Sequence, residues 1–179
     1  MKLRSKFEDL LEKCRDLERH ERDLIITAFL SQELSKLVLV GGAASSWYSR
    51  GSYRTLDVDV VVLGSVEDLK DGLRELGFDR NRVWHYAPAD FALDTVSRTG
   101  KPKRTRVYEV GGYEIEIASP EEVIVNDLSG YKFWDRADDF DRAKLVYETE
   151  FEDLDVDYLE ERAEEEKVKD ALAELKRNS

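Results

Sequence analysis

The chain of 179 residues contains one cysteine, Cys14, two histidines, His20 and His85, and three prolines. A single thiol excludes a disulfide framework and a cysteine-based zinc site, and its place in an apolar helical stripe assigns it to the core. Two separated histidines are too few for a histidine metal cluster. No apolar run reaches the ~20 residues that span a bilayer, and the N-terminus lacks the apolar segment of a signal peptide. The chain is therefore expected to be soluble and cytoplasmic. Positive charge is also short: 28 Lys and Arg stand against 40 Asp and Glu, a net charge of −12. Binding a nucleic-acid backbone needs many cationic contacts, so this balance disfavours extensive RNA or DNA binding, though not a local basic patch. What is present is enough apolar material for a core, 41% of residues, in a length that fits one domain with a helical appendage.

Phe7, Leu10, Leu11, Cys14 and Leu17 recur at helical spacing and predict a helix over 3–19, with a second over 21–37. Leu37–Val40 reads as a short apolar strand that stops at Gly41-Gly42, residues 43–50 as a short helix, and 56–63 as a second strand. Ser65 caps a helix carrying Leu69, Leu73 and Leu76, and Gly77 ends it. Further strands are expected at 82–86 and 91–96, and those at 105–110 and 113–118 flank Gly111-Gly112 as a hairpin. Ser119, Pro120 and Glu122 form a capping box for a helix to about Tyr131, and another helix spans 137–148. From 151 the chain is acidic and helical, with the Glu-rich 160–166 run as a solvated face. The order predicts an α+β (mixed α/β) fold: one mixed sheet flanked by helices. It divides into an N-terminal helical segment (1–36), a central domain (37–150) and a C-terminal helical tail (151–179).

The most informative stretch is 37–60, LVLVGGAASSWYSRGSYRTLDVDV. On a strand, Asp57 and Asp59 project from one face while Val58, Val60 and Val62 project from the other. Two carboxylates so close together repel each other and lose hydration. A positive ion is needed to hold both ionised, and Mg²⁺ suits an all-oxygen site.

A strand, Gly41-Gly42, a helix, then Arg54-Thr55-Leu56-Asp57-Val58-Asp59 resembles the signature of the nucleotidyltransferase superfamily, which shares the DNA polymerase β fold. The Gly-Gly-x-Ala and Arg-x-Thr-x-Asp-x-Asp forms look most like its small bacterial and archaeal branch, which includes the AbiEii-type toxins. The match covers 37–62 and continues more loosely through a Lys-bearing helix and the Arg-x-Asp-Asp-x-Asp run at 136–141, where Asp138 stands in place of a frequent Lys. The resemblance implies a nucleotidyltransferase-like fold and transfer of a nucleoside monophosphate (NMP) from a nucleoside triphosphate (NTP) to a hydroxyl on protein, tRNA or a small molecule. It also implies a possible place in a toxin–antitoxin pair. A nucleotidyltransferase-like antitoxin or binding module, acting through a protein partner, is the alternative.

Physical chemistry assigns the parts. Phosphoryl transfer is mostly positioning and charge neutralisation, and two Mg²⁺ ions about 3.5–4 Å apart can bridge the attacking and leaving oxygens. Asp57 and Asp59 would hold them. Gly41 and Gly42, without Cβ atoms, let the backbone approach a triphosphate at a helix N-terminus, with Ser45 or Ser46 adding a hydroxyl. A third carboxylate is expected on an adjacent strand. Asp94, a lone acid in Phe-Ala-Leu-Asp-Thr-Val, is the first candidate and Glu116 the second. Arg54 and Lys132 are candidates for nucleotide phosphates, each with a structural alternative. Lys101, Lys103, Arg104 and Arg106 form the dense basic patch, either a solvated loop or a phosphate contact. Trp47 and Tyr48 could stack on a base, with core packing expected for at least one.

Overall fold

The computed structural model describes residues 2–96 and 100–179. Two helices open the chain, α1 (Leu3–Lys13) and α2 (Arg19–Glu33). Strand β1 (Leu37–Val40), helix α3 (Gly41–Tyr48), strand β2 (Val58–Val62) and helix α4 (Val66–Leu76) follow. Then come strands β3 (Asp79–Arg80), β4 (Trp84–Tyr86), β5 (Phe91–Val96), β6 (Thr105–Val110) and β7 (Tyr113–Ala118). Helices α5 (Pro120–Trp134), α6 (Ala137–Glu150), α7 (Val156–Glu165) and α8 (Lys169–Asn178) complete it. The strands form one mixed sheet in the order β3-β4-β5-β2-β1-β7-β6. β1 runs antiparallel to β2 and parallel to β7, and β2 runs parallel to β5. This is the α+β architecture the sequence predicts.

Alternation along the strands divides the sheet. Leu37, Leu39, Val58, Val60, Val62, Leu93, Ile115 and Ile117 share the face that enters the main core. Asp59 lies on the other face, between Val40 of β1 and Asp94 of β5. The apolar face holds β2 in register, because a slip by one residue would drive both aspartates into the core.

Local signals place most elements. Ser65 accepts the Asp68 N–H at 3.1 Å, and Gly77, at φ 92°, closes α4. Gly111 and Gly112 have φ of 58° and 82°, the two positive values that a tight two-residue hairpin demands. Four expectations are corrected. The helix expected over 3–19 ends at Lys13, and Leu17 lies 39% exposed in the turn before α2. The strand expected over 56–63 is trimmed to 58–62, with Leu56 in the open. The short helix begins at Gly41 rather than 43, so the glycines are its first turn. Ser119 does cap α5 by accepting the Glu122 N–H at 3.5 Å, but the reciprocal half of the capping box does not form. The Ser119 N–H donates to the Arg104 carbonyl, and the Glu122 carboxylate turns to Arg162 Nε at 2.7 Å and the Tyr158 hydroxyl at 2.5 Å.

That ion pair explains the C-terminal helices. Leu159, Ala163, Val168, Leu172 and Leu175 are buried in the same core as Phe7 of α1 and Leu128 of α5. Arg162 is buried with Glu122 and is also held by Glu165 and Glu166. The Glu-rich run is mostly exposed, as expected, and Glu165 and Glu166 within it also hold the one inward-turned arginine. Arg162→Ala leaves the Glu122 carboxylate buried without its cation, and is expected to cost about 3–5 kcal/mol. Urea unfolding checks this, with the Glu122→Leu/Arg162→Met double variant expected to lose much less.

Candidate functional site

β2 and β5 bring the carboxylates together. Their parallel register sets Asp59 opposite Asp94, and Asp57 stands just before β2 on the same face. One carboxylate oxygen from each of Asp57, Asp59 and Asp94 lies within 4.8 Å of the others, and all three residues are half-buried. Burial and the charges of Asp57 and Asp94 push the Asp59 carboxyl up to about 6, against the opposing pull of the Gly42 N–H and Arg142. An all-oxygen set held this close, with its charge uncompensated, fits a hard divalent cation. Glu116 is not part of it. It pairs with Val38, two strands from Asp94, and its carboxylate meets Lys36 Nζ at 2.5 Å.

The glycines are packed closely in this arrangement, Gly41 more tightly than Gly42. Gly41 has φ 58°, and a Cβ built on it would lie 2.5 Å from Asp59 Oδ2. The chain can bring the start of α3 against that carboxylate only where no side chain stands. A Cβ on Gly42 would come within 3.2 Å of Thr55 Oγ1. Thr55 in turn donates to the Asp57 carbonyl at 3.0 Å and steadies the approach to β2.

Helices α5 and α6 supply a support that sequence reasoning missed. Arg142 grips the fully buried Asp127 through Nε at 2.9 Å and Nη2 at 2.6 Å, and meets Asp139 at 3.1 Å and the Tyr53 hydroxyl at 3.3 Å. Burial pushes the Asp127 carboxyl up, and Arg142 and the Ser45 hydroxyl resist that shift. Gly130 lets the two helices close, since a Cβ there would overlap Asp139 Oδ2. Asp127 is the one acid in the mostly apolar stretch Val123–Leu128, beside Asn126, a signal like the one that selected Asp94. Gly41, Gly42, Asp59 and Arg142 line a cleft of about 600 Å³, together with Lys101 and Arg136.

The remaining candidate residues are dispersed. Ser45 is fully buried, and its hydroxyl donates to Asp127 Oδ2 at 3.0 Å. Ser46 and Arg54 line a separate pocket on another side of α3. Lys132 donates to the Lys167 carbonyl and to Asp170, at 2.7 and 2.6 Å, tying α5 to α8. In the basic patch, Lys103 pairs with Glu165, Arg104 with Asp155 and Arg106 with Glu121. Lys101 has no such partner among the described residues. Tyr48 is buried and donates to the Ala118 carbonyl, while Trp47 packs edge-on against Tyr108.

No family model and no curated protein matches the chain. Among solved structures it is similar to an antigenic nucleotidyltransferase-like protein from Paracoccidioides brasiliensis, at 16% identity and a TM-score of 0.48, over 82% of this chain and 74% of that one.

Two outcomes test the site. With its carboxyl raised from 3.8 to about 6, Asp59 contributes stability below about pH 3.8 that is lost as pH rises through 6. In EDTA, Asp59→Asn is therefore expected to be more stable than the parent at pH 7, with the advantage vanishing near pH 4. Millimolar Mg²⁺ should raise the melting temperature of the parent but not of the variant. Gly41→Ala is expected to cost about 1–3 kcal/mol from its left-handed backbone alone. It should also weaken Mn²⁺ binding, read by calorimetry.

Proposed function

We propose that the chain is a Mg²⁺-dependent nucleotidyltransferase that moves a nucleoside monophosphate from an NTP to a hydroxyl acceptor. One observation carries this reading: three carboxylates on or just before two adjacent parallel strands converge beside a helix whose first residue is a glycine at positive φ. Asp57, Asp59 and Asp94 would hold the metal, and the crowding that opposes their ionisation is what a cation relieves. Bound Mg²⁺ supplies charge neutralisation at the phosphate oxygens and lowers the pKa of an oxygen bound to it.

The chain's own residues supply the rest. Gly41 and Gly42 present free backbone to a triphosphate at the N-terminus of α3. Lys101 and Arg136 line the same cleft, and neither has an acid partner among the described residues. They are the cations best placed to receive the phosphate oxygens of the leaving pyrophosphate. Arg142 is committed to Asp127, Asp139 and Tyr53, so it positions α3 through Asp127 and Ser45 and does not grip substrate. Pairing of Lys103, Arg104 and Arg106 with acids, added to the net charge of −12, favours a protein or small-molecule hydroxyl over tRNA as acceptor.

Incubating the protein with each α-³²P-labelled NTP, Mg²⁺ and a total cell extract should label an acceptor. Metal stabilisation of the transition state is worth several kcal/mol, and ~1.36 kcal/mol is tenfold, so Asp57→Asn and Asp59→Asn should each reduce transfer by about a hundredfold or more. Transfer that survives both changes would sink the proposal. Absence of Mg²⁺-dependent NTP binding in calorimetry would favour the binding-module alternative.

A further inference from the structure

A second cavity lies on another side of α3 and shares no lining residue with the carboxylate cleft. Its volume is about 320 Å³, near the lower end for small-molecule sites. Leu24 from α2, Leu39 from β1, Ala43 from α3 and Val58 from β2 make its apolar floor. The rings of Trp47 and His20 stand on its walls.

Its rim carries charges of both signs, Glu18 and Asp23 beside Arg19, Arg50 and Arg54. Arg19 is committed to Asp23 and Asp90, and Asp23 also takes Arg22. Arg54, in contrast, has no hydrogen bond or ion pair from its side chain among the described residues, and Arg50 has none beyond a through-space attraction to Glu150. In a chain with a net charge of −12, two such arginines at the mouth of one apolar pocket are conspicuous. Arg50 is moreover held in the left-handed region at φ 53°, followed by Gly51 at φ 77°. A Cβ on Gly51 would lie 2.8 Å from His20 Cε1, so this strained turn closes the wall and keeps the arginine at the rim. Backbone strain of this kind is retained where surrounding structure or function demands it.

We propose that this pocket binds a small molecule with a flat apolar body and one anionic group, the body against Leu39, Val58 and Trp47 and the anion at Arg50 and Arg54. The site stands independently of the nucleotidyl-transfer reading. Thr55 nevertheless lines the pocket and donates to the Asp57 carbonyl at 3.0 Å, so its occupant lies one residue from the carboxylates.

The test uses 2-naphthoate and its neutral analogue 2-naphthalenemethanol as probes, in EDTA, followed by amide NMR shifts of the whole chain. 2-Naphthoate is expected to move the amides of Ala43, Trp47, Arg50 and Thr55 and to bind more tightly than the alcohol. Arg54→Gln, at an exposed position, should weaken the anion about tenfold, the scale of one lost charge-assisted hydrogen bond, and leave the alcohol unchanged. Ala43→Leu should exclude both probes while, in a separate sample without EDTA or probe, Mn²⁺ still broadens amides beside Asp59. Shifts confined to other surfaces, equal binding of the two probes, or 2-naphthoate affinity unaffected by Arg54→Gln would overturn the proposal. Because the probe titrations contain no free metal, their results do not depend on whether label transfer is observed.

Discussion

Asp59 carries its charge where burial, Asp57 and Asp94 all oppose it, and the surrounding architecture holds it there. The opposite face of the same strand makes this possible. Val58, Val60 and Val62 are buried in the main core, so the free energy gained on one face of β2 offsets the repulsion imposed on the other. The parallel pairing of β2 with β5 supplies the third carboxylate, and a parallel pair needs a crossover. Helix α4 and strands β3 and β4 occupy that connection. The start of α3 completes the constraint, since at Gly41 a positive φ and the close approach of Asp59 both disfavour a side chain.

Behind this centre the protein uses buried ion pairs as fasteners. Arg142 joins α6 to Asp127 of α5, which holds Ser45 of α3. Arg162 joins α7 to Glu122 at the start of α5. Breaking such a pair strands a buried charge, so each acts as a cooperative tie more than as a net source of stability. The same pairing distributes the positive charge of an acidic chain. Lys103, Arg104 and Arg106 are neutralised by acids of α5 and the C-terminal segment. Lys101 and Arg136 line one cavity, and Arg50 and Arg54 the other, outside these ion pairs.

Legibility of the site followed the range of the interactions. Asp57, Asp59 and the glycines lie within twenty residues of one another, and strand alternation and helix-start chemistry are local rules that a sequence displays. Asp94 was readable as a lone acid in an apolar strand, and Asp127 carried a similar mark. Arg142 and Arg162 carried none, because an arginine in an acidic helix looks solvated until a partner many residues away is brought against it. Element limits erred where tertiary contacts decided them. Leu17 continues a helical pattern without a surface to bury against, and Glu122 has the capping position but a stronger partner in Arg162.

Sequence alone determined the mixed fold class, the β6–β7 hairpin, the caps at Ser65 and Ser119, and the pair Asp57 and Asp59 beside Gly41-Gly42. Backbone preference and side-chain periodicity act over a few residues and need no knowledge of the rest of the chain. Only the tertiary structure set Asp94 rather than Glu116 beside Asp57 and Asp59, drew Ser45 and Lys132 into structural ties, and formed the pocket beneath Arg50 and Arg54. Each of these depends on which strand lies beside which and on which charges meet, and register and topology are set by packing of the whole core.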